Sequence, residues 1–312
     1  MIYRLRKWYF DFLTPGLDYC FVYFADVQIL TAKFRSLTVH LARPGRVPTT
    51  KSLPVGHCHE ELHSETDRSF RLSCGGLELG EKSCAIDVSG PGCSVHLRYE
   101  GLRGFKGEPV VIRTGGRSKI VWRPLQMRYR VSGSVEIDGE AVKVPGFDGY
   151  VDYLESSYLP PVLPVRTLHW GRLHHDGLDL VYMRAGDGTG SAAWSRLSAQ
   201  AGDSVTECNE LAITNGHAQG GRESLSSGGY EAEAVCGSGR VRVKVRHAAA
   251  VQESSFIDHQ NLKSGVVRYV LKKLTRDPRS TKWLSTADVI LERGGIGRVF
   301  TNVPLIDEFA LL

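Results

Sequence analysis

No stretch of this 312-residue chain comes near the run of about eighteen uninterrupted apolar residues that a membrane-crossing helix needs, so a soluble protein is expected. The opening MIYRLRKWYFDF is basic, but its apolar run is broken by Asp11 and Pro15. No small-residue cleavage site follows, so no secretory signal is expected either. Cys-x-x-Cys spacing is missing as well, which argues against metal ribbons and redox motifs. The seven cysteines, Cys20, Cys58, Cys74, Cys84, Cys93, Cys208 and Cys236, are an odd number in apolar or turn-like settings. This suits a reducing cytoplasm in which most thiols act as small core hydrophobes. The four from Cys58 to Cys93 would be bridge candidates only in a secreted protein.

Other absences narrow the function. There is no Gly-x-Ser-x-Gly elbow and no Ser, His and acid set, which leaves a nucleophilic hydrolase without support. Gly186-Asp187-Gly188-Thr189-Gly190 is followed by no Lys-Ser/Thr and opens no helix. It therefore lacks the nest and helix dipole that hold a phosphate, and reads as a hairpin tip. Gly294-Gly295-Ile296-Gly297 lacks the strand-to-helix context and downstream acid of a dinucleotide fingerprint. With no nicotinamide, flavin or haem motif, an enzyme built on this chain is expected to use no cofactor. Lys and Arg number 39 against 34 Asp and Glu, a net +5. Around 123–130 and 240–246 the basic residues alternate as on the wet face of a sheet, without stacking aromatics, so no nucleic-acid partner is expected.

What is present points to β structure. Hydrophobic content of 42% and charged content of 23% are ordinary for a globular chain, while 34 glycines and 13 prolines supply many turns. WYFDF and YCFVYFADVQILT, joined by Thr14-Pro15-Gly16-Leu17-Asp18, read as an opening hairpin, and Phe34 to Leu41 as the next strand. From Phe70 to Val144 short strands recur between glycine-rich breaks, with Asp138-Gly139 as a two-residue hairpin turn. Leu178 to Met183, Tyr230 to Cys236, Arg240 to His247, Val266 to Lys273 and Asp288 to Glu292 continue the pattern. The tail IDEFALL fits a short helix or a closing strand. Residues 215–229 read as an exposed loop or lid. His57, Cys58, His59, Glu60, Glu61, His63 and Glu65 form the densest group of potential metal ligands. No His-Glu-x-x-His spacing is present and Pro54-Val55-Gly56 argues for a loop, so no metal is assigned.

Chemistry concentrates in Pro145 to Arg172, which crowds Asp148, Tyr150, Asp152, Tyr153, Glu155, Tyr158, His169 and Trp170 into one segment. On a strand Tyr150, Asp152 and Leu154 share one face and Val151, Tyr153 and Glu155 the other, so either inward face carries a carboxylate. A carboxyl among aromatics has its charged form disfavoured, which moves it toward the pH range of proton transfer. The simpler reading is a solvated crossover with Tyr and Trp packed at its ends. Asp11 is a candidate for a cavity floor, and Trp122 for a strand-edge or core position.

Gly149-Tyr150-Val151-Asp152, followed by His169-Trp170-Gly171-Arg172, resembles the paired GYxD and WGR motifs of the carotenoid 1,2-hydratase (hydroxyneurosporene synthase) and AttH-like superfamily. Fungal Diels–Alderases that close decalin rings are similar proteins of the same broad group. Trp8-Tyr9-Phe10-Asp11-Phe12 resembles the opening strand of that superfamily, as does the pattern from Asp176-Gly177 to Tyr182. The resemblance spans most of residues 1–190. It implies an all-β protein of two lipocalin-like barrels or sandwiches, over 1–160 and 161–312, with an apolar cavity near their junction. In the hydratases the motif aspartate is followed by His-Asn-Trp; here Tyr153-Leu154-Glu155 stand instead, which weakens a hydratase assignment.

The expectation is therefore a cofactor-independent cyclase or isomerase acting on a hydrophobic polyene, terpenoid or polyketide. Asp152, Glu155 and Tyr153 are its catalytic candidates. Tyr150, Tyr158, His169, Trp170, Tyr182 and Trp283 are the candidate substrate wall, with Trp283 near a domain-junction surface. A carotenoid hydratase and a non-catalytic carrier of hydrophobic ligands are the alternatives, and the oligomeric state is left open.

Overall fold

The computed structural model describes residues 3–64, 67–105, 107–113, 118–158, 163–187, 192–215, 229–237, 239–255 and 279–311. Those residues form strands and connections with no helix among them, so none is long and apolar enough to cross a membrane as a helix. They fall into two compact units, one built on Met1–Leu159 and the other on Pro160–Ile257 with Val266–Leu312.

The first unit contains β1 (Tyr3–Leu13), β2 (Tyr19–Ile29), β3 (Ala32–Ala42), β4 (Thr49–Leu53), β5 (Cys58–Leu62), β6 (Arg68–Leu72) and β7 (Gly75–Leu79). It continues with β8 (Ser83–Gly90), β9 (Cys93–Gly104), β10 (Val110–Ile112), β11 (Ile120–Pro124), β12 (Gln126–Ile137) and β13 (Glu140–Ser156). Neighbouring strands run β4-β3-β2-β1-β13-β12-β9-β8-β7-β6-β5, a half-barrel. The run 119–137, which reads as one strand, is two. β12 pairs with the first part of β13 and β11 with its last part. The break falls at Pro124-Leu125, where Pro124 has no amide to donate and the Leu125 N–H turns to the Val151 carbonyl at 3.0 Å. Asp138 and Gly139 both have positive φ, 51° and 82°, as a tight hairpin between β12 and β13 requires.

The uninterrupted apolar stretch of β2 has a packing cause: both of its faces are buried from Tyr19 to Val27. Trp8, Phe10, Phe12, Val22, Phe24 and Val151 belong to the inner core. Tyr9, Asp11, Tyr19, Phe21, Tyr150 and Asp152 project from the opposite side of the same strands and are buried too. β9, by contrast, alternates buried and exposed residues from Val95 to Glu100, as a strand with one wet face should. Within the core Phe70 meets Trp8 and Phe24 edge-on, with ring centres 4.9 Å apart in each pair. Each such contact adds about 1 kcal/mol beyond area burial.

The second unit contains β14 (Thr167–His175), β15 (Leu178–Gly186), β16 (Ala192–Ala201), β17 (Ser204–Cys208), β18 (Leu211–Asn215), β19 (Tyr230–Cys236), β20 (Gly239–Ser255), β21 (Arg279–Arg293) and β22 (Ile296–Leu311). Their order is β17-β16-β15-β14-β22-β21-β20-β19-β18, a nearly closed barrel. Of the tail IDEFALL, Ile306 to Leu311 is strand and lies between β14 and β21. At the seam Ser195 Oγ accepts from the Leu211 N–H and donates to the Asn209 carbonyl, both at 2.9 Å. A disulfide between Cys208 and Cys236 ties β17 to β19. Cys20, Cys58, Cys74, Cys84 and Cys93 are free thiols. The expected strand 266–273 lies outside the described residues, as do most of the glycine-rich tip and the expected lid at 215–229 apart from Asn215, which ends β18, and Gly229.

Candidate functional site

The motif residues of β13 divide as strand alternation demands. Tyr150 and Asp152 emerge on the second face of the first unit's sheet, where Tyr9 pairs with Asp152 and Asp11 with Tyr150 across β1. Asp152 is buried, and its Oδ2 accepts the Trp122 indole N–H at 2.9 Å. Trp122 stands on the same face of β11, opposite Leu154. Nearby, the Tyr9 hydroxyl donates to Asp11 Oδ2 at 2.5 Å and shares a hydrogen bond with the Tyr19 hydroxyl. Aromatic rings complete the surface. Tyr9 lies 5.3 Å from Tyr23 and 6.3 Å from Tyr150, and Phe21 stacks on His40 at 4.5 Å. Two carboxylates shielded from water and met by N–H and O–H donors are a costly feature for a folded chain. Such groups keep well-directed hydrogen bonds in surroundings of low polarity.

Tyr153 and Glu155 take the opposite face, so the expected catalytic trio does not converge on one site. Tyr153 packs against the core beside Trp8, ring centres 5.2 Å apart. Its hydroxyl donates to Glu155 Oε2 at 2.7 Å, and Arg4 Nε donates to Glu155 Oε1 at 3.1 Å. Burial pushes the Glu155 carboxyl up, but the Tyr153 hydroxyl and Arg4 outweigh it and hold the group below the ordinary carboxylate value. Burial, then the bond to Glu155, raises Tyr153 above the ordinary phenol value. Further along this face Arg6 pairs with Asp26 and, at 2.7 Å, with Glu60. Glu155 thus sits at the end of an ion-paired rim as a resident anion. Tyr158 is buried, with its N–H on Ser156 Oγ at 3.3 Å.

Of the candidates in the second unit, His169 and Tyr182 face the barrel interior from β14 and β15. The His169 ring lies 4.6 Å from Phe309 and 6.3 Å from Tyr230. Trp283 stacks on His247 at 4.5 Å and 5°. Trp170 projects from the other face of β14, buried, with Lys282 Nζ 4.9 Å from its ring centre. His247, Asp307, Ser285 and Tyr230, which join His169 and Tyr182 in this interior, were not singled out by the sequence. Asp307 Oδ2 meets His247 Nε2 at 3.1 Å and its Oδ1 accepts from Ser285 Oγ at 2.6 Å. Once the tail is read as a strand, the alternation Leu305, Asp307, Phe309 shows one acid on an apolar face, which was the available signal.

Both motif glycines serve packing. A Cβ on Gly149 would lie 2.3 Å from Val131 Cγ2 and 2.4 Å from the Asp11 carbonyl oxygen. On Gly171 it would lie 2.3, 2.4 and 2.6 Å from Oη, Cζ and Cε1 of Tyr182. In the His57–His63 stretch, β5 is an edge strand rather than a loop, His63 Nε2 bonds Ser69 Oγ at 3.0 Å, and Glu65 lies outside the described residues. Among the described residues no three His, Cys, Asp or Glu side chains gather as metal ligands.

A half-barrel and a nearly closed barrel, all antiparallel, define a lipocalin-like protein of two β units. Solved structures share this architecture. CghA is 8% identical, with a TM-score of 0.69 over 99% of this chain and 88% of its own, and CghA with Sch210972 is 9% identical with a TM-score of 0.67. A Nitrosomonas europaea protein assigned to AttH, NE1406, is 12% identical with a TM-score of 0.54, over 99% of this chain and 92% of its own. Kievitone hydratase from Nectria haematococca is 10% identical with a TM-score of 0.51, over 98% and 87%. At such identities the likeness establishes the fold, and at that level the resemblance carried by the two motifs holds. No protein-family model matches the chain, and no curated protein does.

Proposed function

We propose that this chain is a cofactor-independent enzyme that binds a long apolar small molecule, a polyene, terpenoid or polyketide intermediate, and cyclises or isomerises it. The observation that carries the reading is Asp152, a buried carboxylate held by the Trp122 indole on an aromatic face. In this reading Asp152 hydrogen-bonds or exchanges a proton with the substrate's polar group, with Tyr150 beside it as the donor. Glu155, held ionised by Tyr153 and Arg4, fixes the end of β13 rather than delivering a proton. A Diels–Alder-type closure trades π bonds for σ bonds inside one molecule and consumes nothing. The protein then contributes a folded substrate conformer and a polarised carbonyl, and orientation of this kind is worth several kcal/mol of barrier.

Hydration of a double bond is the second reading, favoured by the fold shared with kievitone hydratase and opposed by Tyr153-Leu154-Glu155 in place of the hydratase His-Asn-Trp. The purified protein incubated with a panel of linear polyenes, terpenoids and polyketides separates the readings. A product of unchanged mass and new retention time supports cyclisation or isomerisation, and a gain of one water supports the hydratase. Tight binding with no product across the panel supports a carrier and overturns both.

A further inference from the structure

The interior of the second unit holds chemistry that the reading above does not use. It is lined by Leu173, Leu180, Leu197, Val243, Val289 and Leu305, yet a chain of polar groups runs through it. Tyr182 and Tyr230 share a hydroxyl–hydroxyl bond, Tyr230 bonds Asp307, Ser285 donates to Asp307, and Asp307 meets His247 Nε2. The His247 and Asp307 side chains are each 2% exposed. Burial raises Tyr182, Tyr230 and Asp307 above their ordinary pKa values; for Asp307 the bonds to His247, Ser285 and Tyr230 offset part of this.

At its far end the chain stops on an open atom: His247 Nδ1 is buried and has no hydrogen-bond partner among the described residues. A second such atom, Thr167 Oγ1, lies on β14 two residues before His169, on the same strand face. A network serving packing alone closes on itself, because a buried polar atom without a partner costs stability. In the neutral imidazole that donates Nε2–H to Asp307, Nδ1 is an acceptor and calls for a hydroxyl. Flat surfaces stand at this imidazole, Trp283 stacked on it and Tyr230 at 5.7 Å, and Tyr230 is followed by His169 at 6.3 Å with Phe309 against that ring.

We infer that this end of the barrel is a binding site for a flat, largely apolar molecule bearing one hydroxyl group, which donates to His247 Nδ1 while its body packs among these rings. The inference is independent of Asp152. Calorimetric titration of the full chain with 2-naphthol and with naphthalene tests it, because the two probes differ by the hydroxyl alone. The expected result is roughly tenfold tighter binding of 2-naphthol, the size of one hydrogen bond. His247→Phe is expected to erase that preference while keeping naphthalene bound, which also certifies the fold. On the unaltered protein, 2-naphthol is expected to shift the Nδ1 resonance of His247 in a nitrogen-15 histidine spectrum. Equal affinity for the two probes, no binding of either, or an unmoved Nδ1 resonance overturns the proposal. So does a preference that survives His247→Phe and disappears with Asp152→Asn.

Discussion

Gly171→Ala offers a worked test of how the second motif functions. The added methyl would lie within 2.6 Å of the hydroxyl oxygen and two ring carbons of Tyr182, and that ring is fully buried and held at its hydroxyl by Tyr230. Overpacking of this kind costs about 1–3 kcal/mol, and a ring that has nowhere to swing places the cost at the upper end. Tyr182→Leu removes the obstructing atoms and by itself costs a similar amount through lost packing. The double variant is therefore expected to be at least about 1 kcal/mol more stable than the two single losses predict, a coupling read from urea unfolding of all four proteins. Gly149→Ala supplies the contrast, because the Asp11 carbonyl oxygen 2.4 Å away is backbone and no side-chain truncation relieves it. Additive costs at Gly171 and Tyr182 would refute the packing account of the WGR motif.

Glu155→Gln is expected to destabilise the protein by about 1 kcal/mol at neutral pH, the Arg4 share being discounted because that side chain is 36% exposed. The folded-state pKa of Glu155 is lowered, so its contribution is complete above the unfolded carboxylate value of about 4.3 and fades as pH falls through the lowered value. Thermal melts of parent and variant are expected to converge in acid, and a pH-independent difference would contradict the ion-pair assignment. Cys208 and Cys236 are 28 residues apart, so closing that loop is worth about 3.5 kcal/mol in the chain-entropy account. A Cys208→Ala, Cys236→Ala double variant is expected to unfold at correspondingly lower urea, and unchanged stability would contradict a staple at the β17–β18 seam.

Periodicity made much of this fold legible. The opening hairpin, the short strands from Phe70 onward and the Asp138-Gly139 turn follow from alternation and turn chemistry, because local sterics decide them. The opposed faces of Asp152 and Tyr153 follow from the same rule. Which face carries the proposed site did not, since β1, β2 and the Gly149–Asp152 part of β13 are buried on both sides and the sequence contrast that marks a wet face is missing there. Trp122 was legible as a strand residue, but its bond to Asp152 depends on β11 pairing with the end of β13, a contact 30 residues away. His247 was hidden at the end of the alternating basic run Arg240 to Arg246. Its partner Asp307 lay in a tail too short to fix its own state. The Cys208–Cys236 bridge likewise needs the β17–β19 approach, which no spacing rule supplies.

The central claim is that the Asp152 carboxylate takes part in chemistry rather than in packing alone. Turnover and ligand affinity of Asp152→Asn, measured side by side on the substrate that the product-mass panel identifies, test it most directly. Asn keeps the shape and can still accept the Trp122 N–H. The account predicts turnover lower by roughly 10²-fold or more, with affinity close to that of the parent. Turnover at the parent rate would contradict it.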